Sequence, residues 1–318
     1  MSRLSADRIV AAHAVIEPAF KNTPQFFPES LSKKLGLELV VKVEALNPIR
    51  SFKARGAQWL VAQLQQQKDG ARHLVCTSTG NFGQGISYAA RAAGMRASVF
   101  VPEDCNPLKV EKMKGFGGEV FLIPGDFSQV RAAAEKFAAE QGAKVVIDGR
   151  EAAIAEGAGT IGLELLNYPK PIDTLVIPLG DGALINGIAA IVKSRAPRTK
   201  IVGVCAAGAP AFEASFASKR IASAPADTIA DGLAIENPEQ ESLDDALVLV
   251  DEIVTVSDDE LIDAMRLVHA ELGLVLEPSG ASGIAALKKH GAKFRGGLVG
   301  TVLTGGNIAE KHRAMLAQ

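Results

Sequence analysis

The chain of 318 residues has 47% hydrophobic residues and a formal net charge of −2, a composition typical of soluble globular proteins. It is long enough to bury one large hydrophobic core or two smaller ones. The near balance of 34 basic and 36 acidic residues gives no electrostatic reason to expect nucleic acid or an anionic membrane as a partner. The first residues lack the apolar core of a signal peptide, and no run could span a bilayer, so we expect a cytoplasmic protein.

The cysteines and histidines favour neither a disulfide framework nor a zinc site. Cys76, Cys105 and Cys205 are odd in number and far apart in the chain, which is typical of small buried side chains. The five histidines show no pairing at the spacing of metal ligands.

From residue 39 onward, short apolar runs alternate with segments of helical spacing, which predicts an α/β fold with mainly parallel sheets. Strands are predicted, in chain order, at residues 73–76, 98–101, 120–123, 145–147, 175–177, 201–204, 253–256 and 298–303. The clearest helical segments are residues 127–139, 152–166 and 261–272. Ser257 and Glu260 form a capping box pattern before the last of these.

Lys53 follows an apolar run and the Asn47-Pro48 breaker, at the start of a predicted helix. The positive end of the helix dipole and the neighbouring Arg55 should disfavour the ammonium form of its amine. This setting suits a nucleophilic lysine, whereas an ordinary solvated lysine is the alternative.

The loop after the predicted strand 73–76 carries Ser78, Thr79, Gly80 and Asn81 and opens another predicted helix. Free backbone N–H groups at a helix start, together with hydroxyl and amide side chains, would suit a carboxylate. A capped helix with a tight glycine turn is the alternative.

A second anion site is predicted at the turn Gly180, Asp181, Gly182, Ala183 and Leu184, which joins a buried strand to a helix. This arrangement offers backbone N–H groups to a phosphate. The two glycines are a weak signal by themselves, and a dinucleotide fingerprint fits them poorly.

Residues 47–57, NPIRSFKARGA, resemble the attachment motif for pyridoxal phosphate (PLP) in the threonine dehydratase, serine racemase and threonine synthase group. Five motifs between about Ala19 and Gly306 follow the order of that group. The resemblance implies a fold-type-II PLP enzyme with the two-domain architecture of the tryptophan synthase β chain. The large PLP-binding domain would comprise residues 1–71 and 149–318, and the small domain residues 72–148.

The same resemblance implies the roles of the cofactor-binding residues. Lys53 would hold PLP as a Schiff base and Asn81 would face its ring hydroxyl. Thr304 would hydrogen-bond the pyridine nitrogen, and residues 180–184 would bind the phosphate. Phe52 is expected to pack beside the ring, with core packing as its alternative.

Ser78, Thr79, Gly80 and Asn81 would bind the substrate carboxylate. Residues 77–81, TSTGN, are similar to the threonine synthase version of this loop, whereas residues 83–85, GQG, resemble the dehydratase version. Serine racemase has a serine at the position of Thr79, which keeps a hydroxyl but adds a methyl group.

Two positions depart from the pattern of the group, and a third has a simple structural explanation. Asp181 replaces a glycine, and because a carboxylate beside a phosphate is repulsive, we expect it to point away and cap the next helix. Cys205 stands where several relatives have a glutamate near a divalent cation, so we predict no metal. Glu277 begins a predicted helix, and capping is its simplest role.

The predicted function is an L-threonine or L-serine ammonia-lyase, in which Lys53 removes the α-proton, the β-hydroxyl leaves, and hydrolysis gives a 2-oxo acid and ammonia. A threonine-synthase-like replacement enzyme and an amino-acid racemase are the alternatives on the same fold. A non-catalytic binding protein is a further one, suggested only by Asp181 and Cys205. Relatives are commonly homodimers, and because the chain ends soon after Thr304 we expect no C-terminal regulatory domain.

Overall fold

A computed structural model describes residues 2–317 and contains two β-sheets flanked by helices. The strands in this range are β1 (Gln25–Phe26), β2 (Glu38–Val43), β3 (His73–Thr77), β4 (Arg96–Pro102), β5 (Glu119–Ile123), β6 (Lys144–Val145), β7 (Thr174–Pro178), β8 (Lys200–Ala206), β9 (Glu252–Val256) and β10 (Leu298–Leu303).

The α-helices in the same range are α1 (Ala6–Val15), α2 (Glu29–Leu35), α3 (Lys53–Gln66), α4 (Asn81–Ala92), α5 (Pro107–Gly115), α6 (Phe127–Gln141), α7 (Ala152–Leu165), α8 (Ala183–Arg195), α9 (Ala211–Ser218), α10 (Gln240–Leu249), α11 (Asp258–Leu272), α12 (Pro278–His290) and α13 (Glu310–Arg313). None of the helices between residues 2 and 317 is both long enough and apolar enough to cross a membrane.

The strand pairing is parallel throughout both sheets except between β1 and β2. The larger sheet has the order β1-β2-β10-β7-β8-β9 and the smaller one the order β5-β4-β3-β6. Every residue of β10, at the centre of the larger sheet, is buried, as expected for a parallel strand covered by helices on both faces. The predicted α/β fold with mainly parallel sheets is confirmed.

The predicted strands are all present, with shifts of at most two residues at their ends. Shifts of two residues occur at the start of β4 and at the ends of β6 and β8. The two-residue strand β1 was not predicted because it is too short to show a periodic pattern. The capping box of α11 is confirmed, since Ser257 Oγ accepts the Glu260 N–H and Glu260 Oε2 accepts the Ser257 N–H.

Helix α3 is packed tightly between α4 and α7, and glycines make this possible. A Cβ atom on Gly85 of α4 would lie 3.0 Å from the carbonyl carbon of Lys53. A Cβ on Gly157 of α7 would lie 2.5 Å from the carbonyl oxygen of Arg55, and one on Gly56 would lie 2.5 Å from that of Ile154. The backbone that carries Lys53 is therefore held from two sides.

The four strands of the smaller sheet lie between residues 73 and 145, inside the range 72–148 that the sequence predicts for the small domain. Their hydrophobic core extends beyond that range, because Trp59 and Leu60 of α3 belong to the same buried cluster as Leu74 and Ile86. The domain boundaries stay a prediction.

Candidate active site

The predicted site residues come from segments that follow the carboxyl ends of parallel strands, where ligands of open α/β sheets usually bind. The start of α3 lies beside the end of β10, because the Phe52 N–H donates to the Thr304 carbonyl over 3.2 Å and Ser51 forms a β-bridge with Gly305. The turn after β7 reaches the same place, since Asp181 contacts Lys53. The structure thus brings together three segments that are far apart in the chain.

The amine of Lys53 is held between two carboxylates. Its Nζ lies 2.5 Å from Asp148 Oδ2 and 2.9 Å from Asp181 Oδ2, and the lysine side chain is only 12% exposed. The same atom lies 4.7 Å from the ring centroid of Phe52 and 5.9 Å from that of Phe82, within the range of cation–π attraction.

The ammonium form of Lys53 is favoured, so the prediction that it is disfavoured was wrong. Burial alone would lower the pKa of Lys53, but the charges of Asp148 and Asp181 raise it above its ordinary value. Arg55 does not lie beside Lys53, because residues two apart on a helix do not share a face. Arg55 is fully buried and pairs with Glu44 and Glu164 instead.

The two carboxylates around Lys53 differ in their affinity for protons. Burial and the neighbouring Asp181 carboxylate raise the pKa of Asp148 to about 7. Burial opposes the charge of Asp181 as well, but Lys53 and the N–H of Ala183 lower the pKa of Asp181 below its ordinary value. Asp148 therefore takes up a proton before Asp181 does. Sequence reasoning missed Asp148, although it follows β6 closely at the carboxyl edge of the sheet.

Two positions in the turn between β7 and α8 require glycine, one for its backbone conformation and one because another backbone segment lies close to it. Gly182 has a φ of 93°, and a Cβ on Gly180 would lie 2.1 Å from the carbonyl oxygen of Gly232. The N–H groups of Gly182, Leu184 and Ile185 donate no hydrogen bond within residues 2–317, as is usual for the first turn of a helix. These amides are free to bind an anion.

The orientation of Asp181 was predicted only in part. Its Oδ1 accepts the N–H of Ala183 over 2.9 Å, so it does cap α8. Its Oδ2 faces Lys53, so the expectation that the side chain points away from the site was wrong. Attraction to the Lys53 amine is the physical reason, because a buried ammonium needs a counter-charge.

The side chain of Asn81 is fixed by two groups that the sequence did not identify as site residues. Its Nδ2 donates to Glu277 Oε1 over 2.6 Å, and its Oδ1 accepts from Asn307 Nδ2 over 2.7 Å. Glu277 makes no side-chain cap of α12, so capping is not its role. Burial raises the pKa of Glu277 to about 6, although the hydrogen bond from Asn81 opposes this. Lys112 reaches the network by donating to Asn307.

The remaining predicted residues lie around this centre. Ser78 Oγ accepts the N–H groups of Gly80 and Gly83, and a carboxylate would use its O–H donor. Thr79 lies beside Gly80, which directly precedes α4. Thr304 is buried at the end of β10, adjacent to Phe52.

The arrangement fits a cofactor that has an aldehyde and a phosphate group. Lys53 supplies the amine and the amides of the turn after β7 supply anion donors. The backbone carbonyl of Thr304 accepts the N–H of Phe52, the residue before Lys53. A cavity of about 930 Å³ lies elsewhere, at the amino ends of β2, β7 and β10, and contains none of the predicted site residues. Because parallel sheets usually bind ligands at their carboxyl ends, the residues around Lys53, and not this cavity, form the candidate active site.

Comparisons with known proteins agree with this geometry. A family model described as "Pyridoxal-phosphate dependent enzyme" matches residues 16–305. The chain is 34% identical to a serine racemase of Arabidopsis thaliana, covering 94% of this chain and 92% of that protein. It is 31% identical to an L-threonine dehydratase biosynthetic IlvA of Pasteurella multocida, covering 93% of this chain but only 61% of that protein.

Among solved structures, the chain is similar to a threonine deaminase from T.th., with a TM-score of 0.89 and 32% identity, covering 96% of this chain and 99% of that one. These matches confirm the resemblance to the threonine dehydratase group that the motifs predict, together with its fold and its cofactor, PLP.

Proposed function

Because this chain belongs to the family of pyridoxal-phosphate dependent enzymes, we propose that it is an ammonia-lyase acting on L-threonine or L-serine. The β-hydroxyl leaves as water, which converts the amino acid into an enamine. Hydrolysis of the enamine releases ammonia and a 2-oxo acid. The observation that carries the proposal is the position of the Lys53 amine. Its Nζ lies 2.9 Å from Oδ2 of Asp181, which belongs to the glycine-containing turn after β7. The relatives named for threonine dehydratase and threonine deaminase activity support the choice of reaction.

In the proposed cofactor site, Lys53 would hold PLP covalently and the free amides of Gly182 and Leu184 would bind its phosphate. The Thr304 hydroxyl would serve the pyridine nitrogen, and Asn81, fixed by its own hydrogen bonds, would serve the ring hydroxyl. When bound, the cofactor supplies an electron-withdrawing ring that stabilises negative charge at the substrate α-carbon. A neutral partner for the ring nitrogen suits elimination, where that charge is short-lived.

The proposed substrate site is the loop before α4. Ser78, Thr79, Gly80 and Asn81 bind the carboxylate at the amino end of the helix, where the helix dipole favours a negative charge. This anchor would orient the Cα–H bond towards the Lys53 amine, which would take the α-proton.

A screen of amino acids for 2-oxo acid release tests the proposed reaction. Purified protein supplied with PLP should convert L-threonine or L-serine into a 2-oxo acid and an equal amount of ammonia. D-isomers and hydroxyaspartate, tested in parallel, would define the substrate class. Absence of 2-oxo acid from every hydroxy amino acid tested would overturn the proposal.

Racemisation is the second candidate, because a relative named serine racemase shares 34% identity over most of both chains. Thr79, where that enzyme group has serine, keeps a hydroxyl that could exchange a proton on the face opposite Lys53. Chiral chromatography separates the two reactions: a racemase produces D-serine from L-serine without forming 2-oxo acid. The homodimer and the cytoplasmic location are still predictions.

A further inference from the structure

Asp181 uses both kinds of donor that the cofactor site offers. Its Oδ1 accepts the N–H of Ala183 at the start of α8, and its Oδ2 accepts a hydrogen bond from the Lys53 amine. The amide belongs to the helix start that is to bind phosphate, and the amine belongs to the residue that is to hold the aldehyde. The Asp181 carboxylate thus accepts hydrogen bonds from two donors, one at each end of the proposed cofactor site.

The charge of the site also opposes a phosphate. The Asp181 carboxylate lies at the turn itself, where it contacts the Ala183 N–H, and its side chain is only 19% exposed. A phosphate ester carries a charge of about −1.5 to −2 at neutral pH. Repulsion between charges is weakly screened at such low exposure, so the phosphate and the Asp181 carboxylate cannot both remain at the turn without a large cost.

We propose that Asp181 is a built-in competitor of the cofactor phosphate, and that PLP binds by displacing its carboxylate from the Ala183 amide and from Lys53. The inference goes beyond the reaction and rests on the cofactor site proposed above. Its consequence is reversible occupancy: the chain binds PLP more weakly than the same fold with an uncharged residue at position 181, so part of it is free of cofactor when PLP is scarce.

The test compares PLP with pyridoxal, which has the same aldehyde and ring but no phosphate. The protein is freed of cofactor, and the dissociation constants of both compounds are measured from their visible absorbance. Asp181→Asn removes the charge but keeps an oxygen that can accept the Ala183 N–H, so it should fold normally. We expect the preference for PLP over pyridoxal to rise at least tenfold in this variant.

Asp148→Asn is the matched control, because Asp148 contacts the same Lys53 amine but, among the described residues, no amide of the turn. Any effect that acts through the basicity of Lys53 changes the binding of PLP and pyridoxal alike, so the preference should stay within about threefold of the wild type. Comparing the two variants separates competition with the phosphate from an effect on the amine.

Inorganic phosphate provides a measurement that does not involve the aldehyde. It should raise the melting temperature of the cofactor-free Asp181→Asn and Asp181→Gly variants at concentrations that leave the wild type unchanged. A PLP preference that does not rise in Asp181→Asn, or equal stabilisation of the wild type by phosphate, would show that Asp181 does not compete. If the wild-type absorbance persists in Lys53→Ala, the proposed cofactor site fails as well.

Discussion

Lys53 and Arg55 lie two residues apart on α3 and show two different ways of burying a cation. Arg55 has no exposed surface, and its guanidinium donates to Glu44, Glu164, Thr160 and Thr23. A second cation, Lys42, lies 2.6 Å from Glu164, so two cations balance two carboxylates. The cluster is neutral and its donors are satisfied, which is what a structural ion-pair network requires.

The cluster at Lys53 is unbalanced in both respects. It places one cation between two carboxylates, and the Oδ1 atom of Asp148 is buried without a hydrogen-bond partner in residues 2–317. Charges at Arg55 and Lys42 overcome burial and lower the pKa of Glu164 to about 2, whereas burial and Asp181 raise that of Asp148 to about 7. The compensated charges around Arg55 are thus typical of a structural network, whereas an acid with a strongly raised pKa beside Lys53 is typical of a functional site.

The largest expected effect comes from breaking the Lys53 cluster. Lys53→Ala removes the group that we propose to hold the cofactor and to take the α-proton, so 2-oxo acid release should fall at least about a thousandfold. The visible absorbance of bound PLP should also disappear. Lys193→Ala is a suitable control, since Lys193 pairs with Asp251 outside the site. Substantial turnover by Lys53→Ala would remove the basis for the proposed mechanism.

Breaking the Arg55 cluster should affect stability. Arg55→Met leaves Glu44 and Glu164 buried without their main counter-charge, and such a loss costs about 3–5 kcal/mol of the free energy of unfolding. Urea denaturation of the cofactor-free protein measures it. Lys288→Met, which breaks an exposed pair with Asp263, should cost less than about 1 kcal/mol. Similar losses in the two variants would contradict the structural role of Arg55.

The pH dependence of stability should have opposite signs at the two clusters. The pKa of Glu164 in the folded protein, about 2, lies below its ordinary value of 4.5, so the folded state binds fewer protons than the unfolded state between these values. Its stabilisation is present above pH 4.5 and is lost as the pH falls towards 2, with a magnitude on the order of 3 kcal/mol. Glu164→Gln should remove this part of the acid sensitivity.

Asp148 should behave in the opposite way, because its pKa rises from 3.8 to about 7 on folding. The folded state then binds more protons than the unfolded state, and the contribution of Asp148 to stability decreases as the pH rises through that interval. Urea midpoints of Asp148→Asn and the wild type, both cofactor-free, should therefore diverge in favour of the variant between pH 4 and 7. If the urea midpoints of the two proteins changed in parallel with pH, folding would not raise the pKa of Asp148.

The smallest effect is expected from Lys42→Met, which removes one cation of the Arg55 cluster but leaves Glu164 paired with Arg55. The variant also leaves the carbonyl of Thr23 without its donor, so we expect a loss of about 1–3 kcal/mol, less than for Arg55→Met. The same denaturation series checks it. A loss larger than that of Arg55→Met would assign the main role to Lys42.

Features that depend on neighbouring residues could be predicted from the sequence. The parallel strands, the capping box at Ser257 and the start of α3 at Lys53 follow from local patterns, and the structure has them. The position of Arg55 relative to Lys53 could have been predicted too, because helix geometry separates residues two apart. Attributing the chemistry of Lys53 to Arg55 overlooked that geometry.

Contacts across the fold could not be predicted in this way. Asp148 is 95 residues from Lys53 in the chain, and Glu277 is 196 residues from Asn81. Both carboxylates are brought into place by the order of strands in two different sheets, which hydrophobic patterns do not specify. Only the location of Asp148 just after a strand, at the edge where ligands bind, could have marked it as a candidate.

The close approach of α3 to its neighbours limits how this enzyme could be re-engineered. A Cβ atom on Gly56 or Gly157 would overlap the backbone of the facing helix, and one on Gly85 would contact the backbone of α3 more closely than normal packing allows. Libraries that aim to alter substrate choice should therefore leave these three codons unchanged and diversify the loop before α4. In a deep mutational scan, the three positions should tolerate almost no replacement, although none of their atoms takes part in the chemistry.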